Sequence, residues 1–253
     1  MKKSTYLLSA ILLLTFTAHL TAQENNDQLW YCWEETVKLE MIDQYRALSK
    51  ELLELCKSEN FPFPIYTWQA SPFTYELWSP IESLTDIKKI GEEWDKILVK
   101  LGADKQAAFN ETKIHHREFT CTIKNDLQYT PANPDFGRNE FEYCLWIELF
   151  LKPGKQKEFE KAVKEFNKER AEKDYGSYVF YATGGFGYER PCYIVMISDK
   201  NEESFLKSQK KINEVMSDEI EAYMKKIYPL MRKPMINHDW YLLMDLSYTN
   251  TDN

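Results

Sequence analysis

Glycine is scarce, with 8 residues in a chain of 253. Loops that cradle phosphates are built on glycine, and neither GxGxxG nor GxxxxGK followed by Ser or Thr occurs, which sets aside the common nucleotide-binding folds. Basic residues are outnumbered, 32 Lys+Arg against 40 Asp+Glu, for a net charge of −8. A nucleic-acid partner is therefore excluded, because phosphate backbones need a basic face. The five cysteines, at 32, 56, 121, 144 and 192, form no CxxC and no zinc spacing, and an odd number leaves at least one unpaired. They read as small buried hydrophobes rather than a disulfide framework. Neither GxSxG nor HExxH is present, so no nucleophile, metal site or cofactor stands out. Long apolar runs are missing beyond the N-terminus. The one run, Tyr6 to Leu14 after Lys2 and Lys3, is shorter than the about 20 residues of a membrane span. It reads as the core of a secretory signal, with residues 1–22 removed. The expectation is an exported protein, periplasmic or extracellular, with peripheral or no membrane contact; an uncleaved N-terminal anchor is the alternative.

Aromatics are plentiful, 14 Phe, 16 Tyr and 7 Trp, and the chain repeats itself. Asp126-Leu127-Gln128-Tyr129-Thr130 recurs as Asp245-Leu246-Ser247-Tyr248-Thr249, and Trp30-Tyr31-Cys32-Trp33-Glu34 aligns with Cys144-Leu145-Trp146-Ile147-Glu148. Repeats of this length are domains rather than solenoid units. The expected layout is a first repeat at 29–130, a turn-rich linker at 131–141 and a second repeat at 142–249.

In the second half, Glu142–Lys152 alternates as a strand, with Tyr143, Leu145, Ile147 and Leu149 on one face and Cys144, Trp146, Glu148 and Phe150 on the other. Lys155–Lys173 has helical periodicity. Strands at Tyr175–Thr183 and Pro191–Ser198, a helical stretch at Glu202–Met231 and a last strand at His238–Tyr248 complete β-α-β-β-α-β, the ferredoxin-like order. The first half follows the same order: strand Leu29–Lys38, helix Met41–Lys57, strands Ile65–Ala70 and Phe73–Ser79, a helical region Ser83–Phe109 weakened at Gly91 and Gly102, and strand Arg117–Lys124. The fold class is thus α+β, two tandem ferredoxin-like repeats packed sheet to sheet as an intramolecular α/β barrel. The chain is expected to be a monomer with internal pseudo-twofold symmetry.

Phe150-Leu151-Lys152-Pro153-Gly154-Lys155, the amphipathic helix after it, and Tyr193-Ile194-Val195-Met196-Ile197-Ser198-Asp199 before the second helix resemble the dimeric α/β-barrel superfamily. That superfamily includes the antibiotic-biosynthesis monooxygenase-like and NIPSNAP-like domains. The resemblance spans nearly all of the chain after the signal and is best at 142–249. It implies paired ferredoxin-like units and, as one reading, a haem-dependent or cofactor-free monooxygenase-like activity. Its motifs speak for fold more than for activity.

If the all-apolar face of the strand at Glu142–Lys152 packs under helices, then Cys144, Trp146, Glu148 and Phe150 point into the barrel, and Trp30, Cys32, Glu34 and Thr36 do the same in the first half. Glu34 and Glu148 are then candidate acids or bases, beside Trp30 and Trp146, with pKa values raised by desolvation; structural carboxylates are the alternative. Trp30, Trp68, Trp146, Tyr181 and Trp240 are candidate ligand-binding aromatics. The resemblance makes His116 the candidate axial ligand of a haem; His115, His116 and His238 otherwise read as exposed residues at strand starts. The expected function is binding of a small apolar or aromatic ligand between the sheets, the alternatives being the monooxygenase-like enzyme and an interaction module with a solid core. Asp126 and Asp245 are expected to organise turns, with Tyr129 and Tyr248 at the barrel rim.

Overall fold

The computed structural model describes residues 27–249, apart from 135, 138, 139 and 174. The proposed signal segment, 1–22, lies outside the described residues.

Eight strands carry the architecture: β1 Gln28–Val37, β2 Tyr66–Ser71, β3 Thr74–Ile81, β4 Lys113–Ile123, β5 Tyr143–Phe150, β6 Tyr178–Gly184, β7 Cys192–Asp199 and β8 Ile236–Leu242. Five helices lie between them: α1 Ile42–Ser58, α2 Thr85–Leu101, α3 Ala103–Glu111, α4 Gln156–Glu172 and α5 Glu202–Ile227. The strands close into one barrel in the order β1-β3-β2-β8-β5-β7-β6-β4, and every neighbouring pair is antiparallel. The expected pair of sheets is thus joined edge to edge at two seams, which removes all free edges. Both seams are short. At one, Trp68 and Gln69 of β2 face Leu242 and Tyr241 of β8. At the other, Cys121–Ile123 of β4 face Ala182–Gly184 of β6.

Alternation decides what each strand buries. Along β1, Cys32 joins the inner core of the barrel with Trp30 packed against it, whereas Tyr31 and Trp33 join an outer core beneath α1 and α2. Along β5, Cys144, Trp146 and Phe150 face inward, and Tyr143 and Leu149 face α4 and α5. One inner core and two outer cores result.

Local chemistry sets the helix limits. The Asp86 carboxylate accepts from the backbone N–H groups of Glu82 (3.1 Å) and Ser83 (2.9 Å) at the start of α2, a capping arrangement. Gly102, at φ +89°, ends α2, because a positive φ is costly for any residue with a Cβ. Gly91 lies within α2 without breaking it. The expected strand His238–Tyr248 stops at Leu242; Met244–Leu246 is a 3-10 turn. Thr67 Oγ1 donates to the Leu246 carbonyl there, so the backbone bonds of this segment go to β2 rather than onward in a ladder.

Candidate functional site

The end of the barrel where β1 and β5 begin and β4 and β8 finish holds a cavity of about 750 Å³. Its walls carry Trp30 from β1, Tyr66 and Trp68 from β2, Trp78 from β3, Trp146 from β5 and Trp240 from β8. Trp146 and Trp240 stack, with centroids 4.3 Å apart and planes within 3°. Trp78 stands edge-on to both, at 5.3 and 6.3 Å. Phe141, from the segment read as a linker, stacks on Trp68 at 5.8 Å and lines the same cavity. Tilted and edge-on pairs of this kind are favourable and lock ring orientations.

The indole N–H groups divide by partner. Trp78 Nε1 donates to Glu76 Oε2 at 3.1 Å. The Nε1 atoms of Trp30 and Trp240 are buried without any acceptor. A buried unsatisfied donor costs about 1–3 kcal/mol; both N–H groups are closed off from the cavity, so a ligand oxygen would relieve them only after the rings turn.

The opposite half of the barrel is charged. Arg117 of β4, Glu34 of β1 and Glu76 of β3 stand directly opposite one another in register across three neighbouring strands, and Trp68 of β2 continues the row. Arg117 donates to Glu34 Oε2 at 3.0 Å. Glu76 is 3 % exposed; burial, reinforced by the adjacent Glu34 charge, pushes its carboxyl well above the usual range. Tyr188 reaches in from the β6–β7 loop. Its hydroxyl is buried without a partner, and burial followed by the charges of Glu76 and Glu148 pushes its phenol up. That loop lies tight on β4, since a Cβ at Gly187 would collide with the Glu118 carbonyl.

Most of the residues proposed from sequence gather in the barrel. Trp30, Trp68, Trp146 and Trp240 line the cavity. Glu34 and Glu148 occupy inward registers, but neither lines the cavity: Glu34 lies four residues along β1 from Trp30 and Glu148 two along β5 from Trp146. In the second half Glu148 faces Ile194 and Ile236 across its neighbouring strands, which leaves the charged row without a counterpart. Two assignments are corrected. Tyr181 lies in the outer core against Phe159, with Arg170 Nη1 donating to its hydroxyl at 3.3 Å, because its place in the β6 alternation faces α4. His116 lies on the outer side of β4, where it contacts Glu35 and Glu118; the alternation that sends Arg117 inward sends His116 outward.

Glu76 is a site residue that the sequence reading did not single out, although its i, i+2 spacing from Trp78 on one strand puts both on one face. Among the described residues no histidine lines the cavity, and the Cys144 thiol there is pushed up to about 12 by burial. Haem iron is held by His, Cys thiolate, Met or Tyr; the described lining offers no His, which leaves Tyr66, Met196 and Met244 as the groups that could reach an iron.

No protein-family pattern matches the sequence, and no curated protein matches it. Solved structures match in fold. An anthrone oxidase-like protein superposes with a TM-score of 0.60 at 13 % identity, covering 85 % of this chain and 91 % of that one. A provisionally named monooxygenase from Lactobacillus acidophilus gives 0.53 at 10 % identity, covering 88 % and 97 %. A chlorite dismutase variant from Candidatus Nitrospira defluvii, in complex with cyanide, gives 0.51 at 10 % identity, covering 88 % and 93 %. At these identities the likeness establishes the fold, and the chain shares the closed α/β barrel of these proteins.

Proposed function

We propose that the chain binds a flat aromatic molecule bearing carbonyl or ether oxygens, held among the tryptophans of the barrel cavity. The observation that carries this reading is a cavity of about 750 Å³ walled by Trp30, Tyr66, Trp68, Trp78, Trp146 and Trp240, two of which, Trp30 and Trp240, hold indole N–H groups without an acceptor. The volume is that of a small-molecule site, and apolar walls with a few polar groups are what such sites have. Rings on the ligand replace water against indole faces, and its oxygens accept from the two N–H groups. The test is titration with an anthraquinone sulfonate and with an anthracene sulfonate, followed by tryptophan quenching. The quinone is expected to bind at least several-fold more tightly, and Trp240→Phe to remove most of that preference. Equal affinity for the two compounds would remove the proposed role of the indole donors.

A second reading, cofactor-free oxygenation of such a ligand, is favoured by the likeness to the anthrone oxidase-like and monooxygenase structures and by a cavity lining that, among the described residues, holds no histidine to anchor a haem. Oxygen uptake on adding anthrone to metal-free protein tests it.

The recurrence of Asp-Leu-x-Tyr-Thr and of β-α-β-β-α-β supports an origin by tandem repetition. The N-terminal run supports export, and a closed barrel without free edges supports a monomer.

A further inference from the structure

We propose that Glu76 is a positioning residue of the tryptophan cavity, acting through a proton that it shares with Glu34. The geometry comes from the strand register. Glu34 and Glu76 are directly opposed on β1 and β3 and both face inward, an arrangement that brings side chains into contact and is unfavourable for two like charges. Arg117 stands on the far side of Glu34 and donates to it at 3.0 Å. The single guanidinium of the row is bonded to Glu34, and its more distant charge only partly offsets the burial of Glu76. A buried, uncompensated carboxylate is expensive, and a proton held between Glu76 and Glu34 removes the charge. The pair lies within hydrogen-bonding reach, and burial followed by the Glu34 charge favours the protonated form of Glu76.

The link to the cavity is direct. Glu76 Oε2 accepts from Trp78 Nε1 at 3.1 Å, and Trp78 is the ring that stands edge-on to the stacked Trp146 and Trp240. Trp68, another cavity wall, is the neighbour of Glu76 on β2. Ionised Glu76 is repelled by Glu34 and must part from it or draw water, and the Trp78 indole follows its acceptor. The other groups that face the pair are Arg117, which its carboxylate neighbours hold protonated, Cys32 and Tyr188, whose ionisation burial pushes up, and Cys121 on β4 and Glu148 on β5. The consequence for the ligand rests on the binding reading above; the shared proton and its effect on Trp78 do not.

The experiment is a fluorescence titration of the ligand-free full chain from about pH 5 to about pH 9, the span into which buried glutamates are pushed. The wild type is expected to show an emission transition. Glu76→Gln keeps an acceptor for Trp78 and a donor for Glu34 but cannot ionise, and is expected to abolish the transition. Glu34→Gln removes the repelling charge and frees Arg117, and is expected to move the transition to lower pH. A flat wild-type titration, a transition that survives in Glu76→Gln, or one that Glu34→Gln leaves in place would each overturn the proposal. With anthraquinone sulfonate present, wild-type affinity is expected to fall several-fold above the transition and Glu76→Gln affinity to be level. Failure of the quinone to bind at any pH, with the ligand-free transition intact, refutes the binding reading and leaves the shared proton standing.

Discussion

At the scale of single residues, the histidine that sequence reasoning offered as a metal ligand has a different task. His116 Nδ1 lies 3.7 Å from the carboxylate of Glu35, which is 4 % exposed and also accepts from the Tyr45 hydroxyl at 2.7 Å and Lys113 at 3.1 Å. Burial alone would push Glu35 up; the nearby His116, the Lys113 charge and the hydrogen bonds from Tyr45 and Lys113 overcome it and hold the carboxyl below its ordinary range. In return the Glu35 carboxylate raises His116. A histidine raised on folding contributes stability that is fully present below its unfolded pKa of about 6.5 and is lost as pH rises through the folded value. The urea midpoint of the wild type should therefore exceed that of His116→Gln in mild acid, with the gap closing as the solution becomes alkaline. A gap that does not change with pH would contradict this pairing. The sequence hid the pairing because Glu35 and His116 are 81 positions apart and meet only through the β1–β4 register. Trp30, Trp146 and Trp240 were legible as barrel residues because simple alternation along three strands points them one way. Tyr181 was not, since β6 is buried on both faces and its apolar run carries no contrast between them.

At the scale of elements, periodicity located all eight strands and the main helices, and it failed where polar tails imitate strands. Asp245-Leu246-Ser247-Tyr248 alternates, yet it forms a 3-10 turn and a single bridge, Tyr248 to Ile65. Its counterpart, Tyr129, bridges to Val179. Each tail thus docks on the second strand of the opposite half. Leu127 and Tyr129 complete the core beneath α4 and α5, and Leu246 and Tyr248 complete the core beneath α1 and α2. The docking has two kinds of support. Tyr248 donates to the Phe61 carbonyl at 2.9 Å in a buried setting, and Asp245 makes ion pairs with Arg46 and Lys50 in partly exposed ones. Tyr248→Phe should cost about 1 kcal/mol, and more if the carbonyl is left unsatisfied. Asp245→Asn should cost less than about 1 kcal/mol, as exposed pairs do. Chemical denaturation of both variants checks the order, and the reverse order would mean that charge rather than the buried hydroxyl holds the tail.

At the scale of the whole molecule, the exchanged tails and the two seams bear on how the protein unfolds. Chains of this length often unfold domain by domain, and two units in sequence would lead one to expect two transitions. The barrel opposes this. Opening one half strips Leu246 and Tyr248, or Leu127 and Tyr129, from the core of the other. It also breaks both seams and exposes an inner core in which Trp78 of the first half packs on Trp146 and Trp240 of the second. Neither half holds a closed core without its partner, so the cost of opening one is charged against both. Tryptophan emission, which reports the barrel, and far-ultraviolet circular dichroism, which reports the helices, should give superimposable denaturation curves with a single calorimetric peak. Residues 27–130 and 131–249, expressed separately, should aggregate or pair with themselves through their bare inner faces, and should form the barrel when co-expressed. Two resolved peaks, or a half that is monomeric, folded and soluble alone, would show that the inner faces do not need each other and that the seams contribute little to stability.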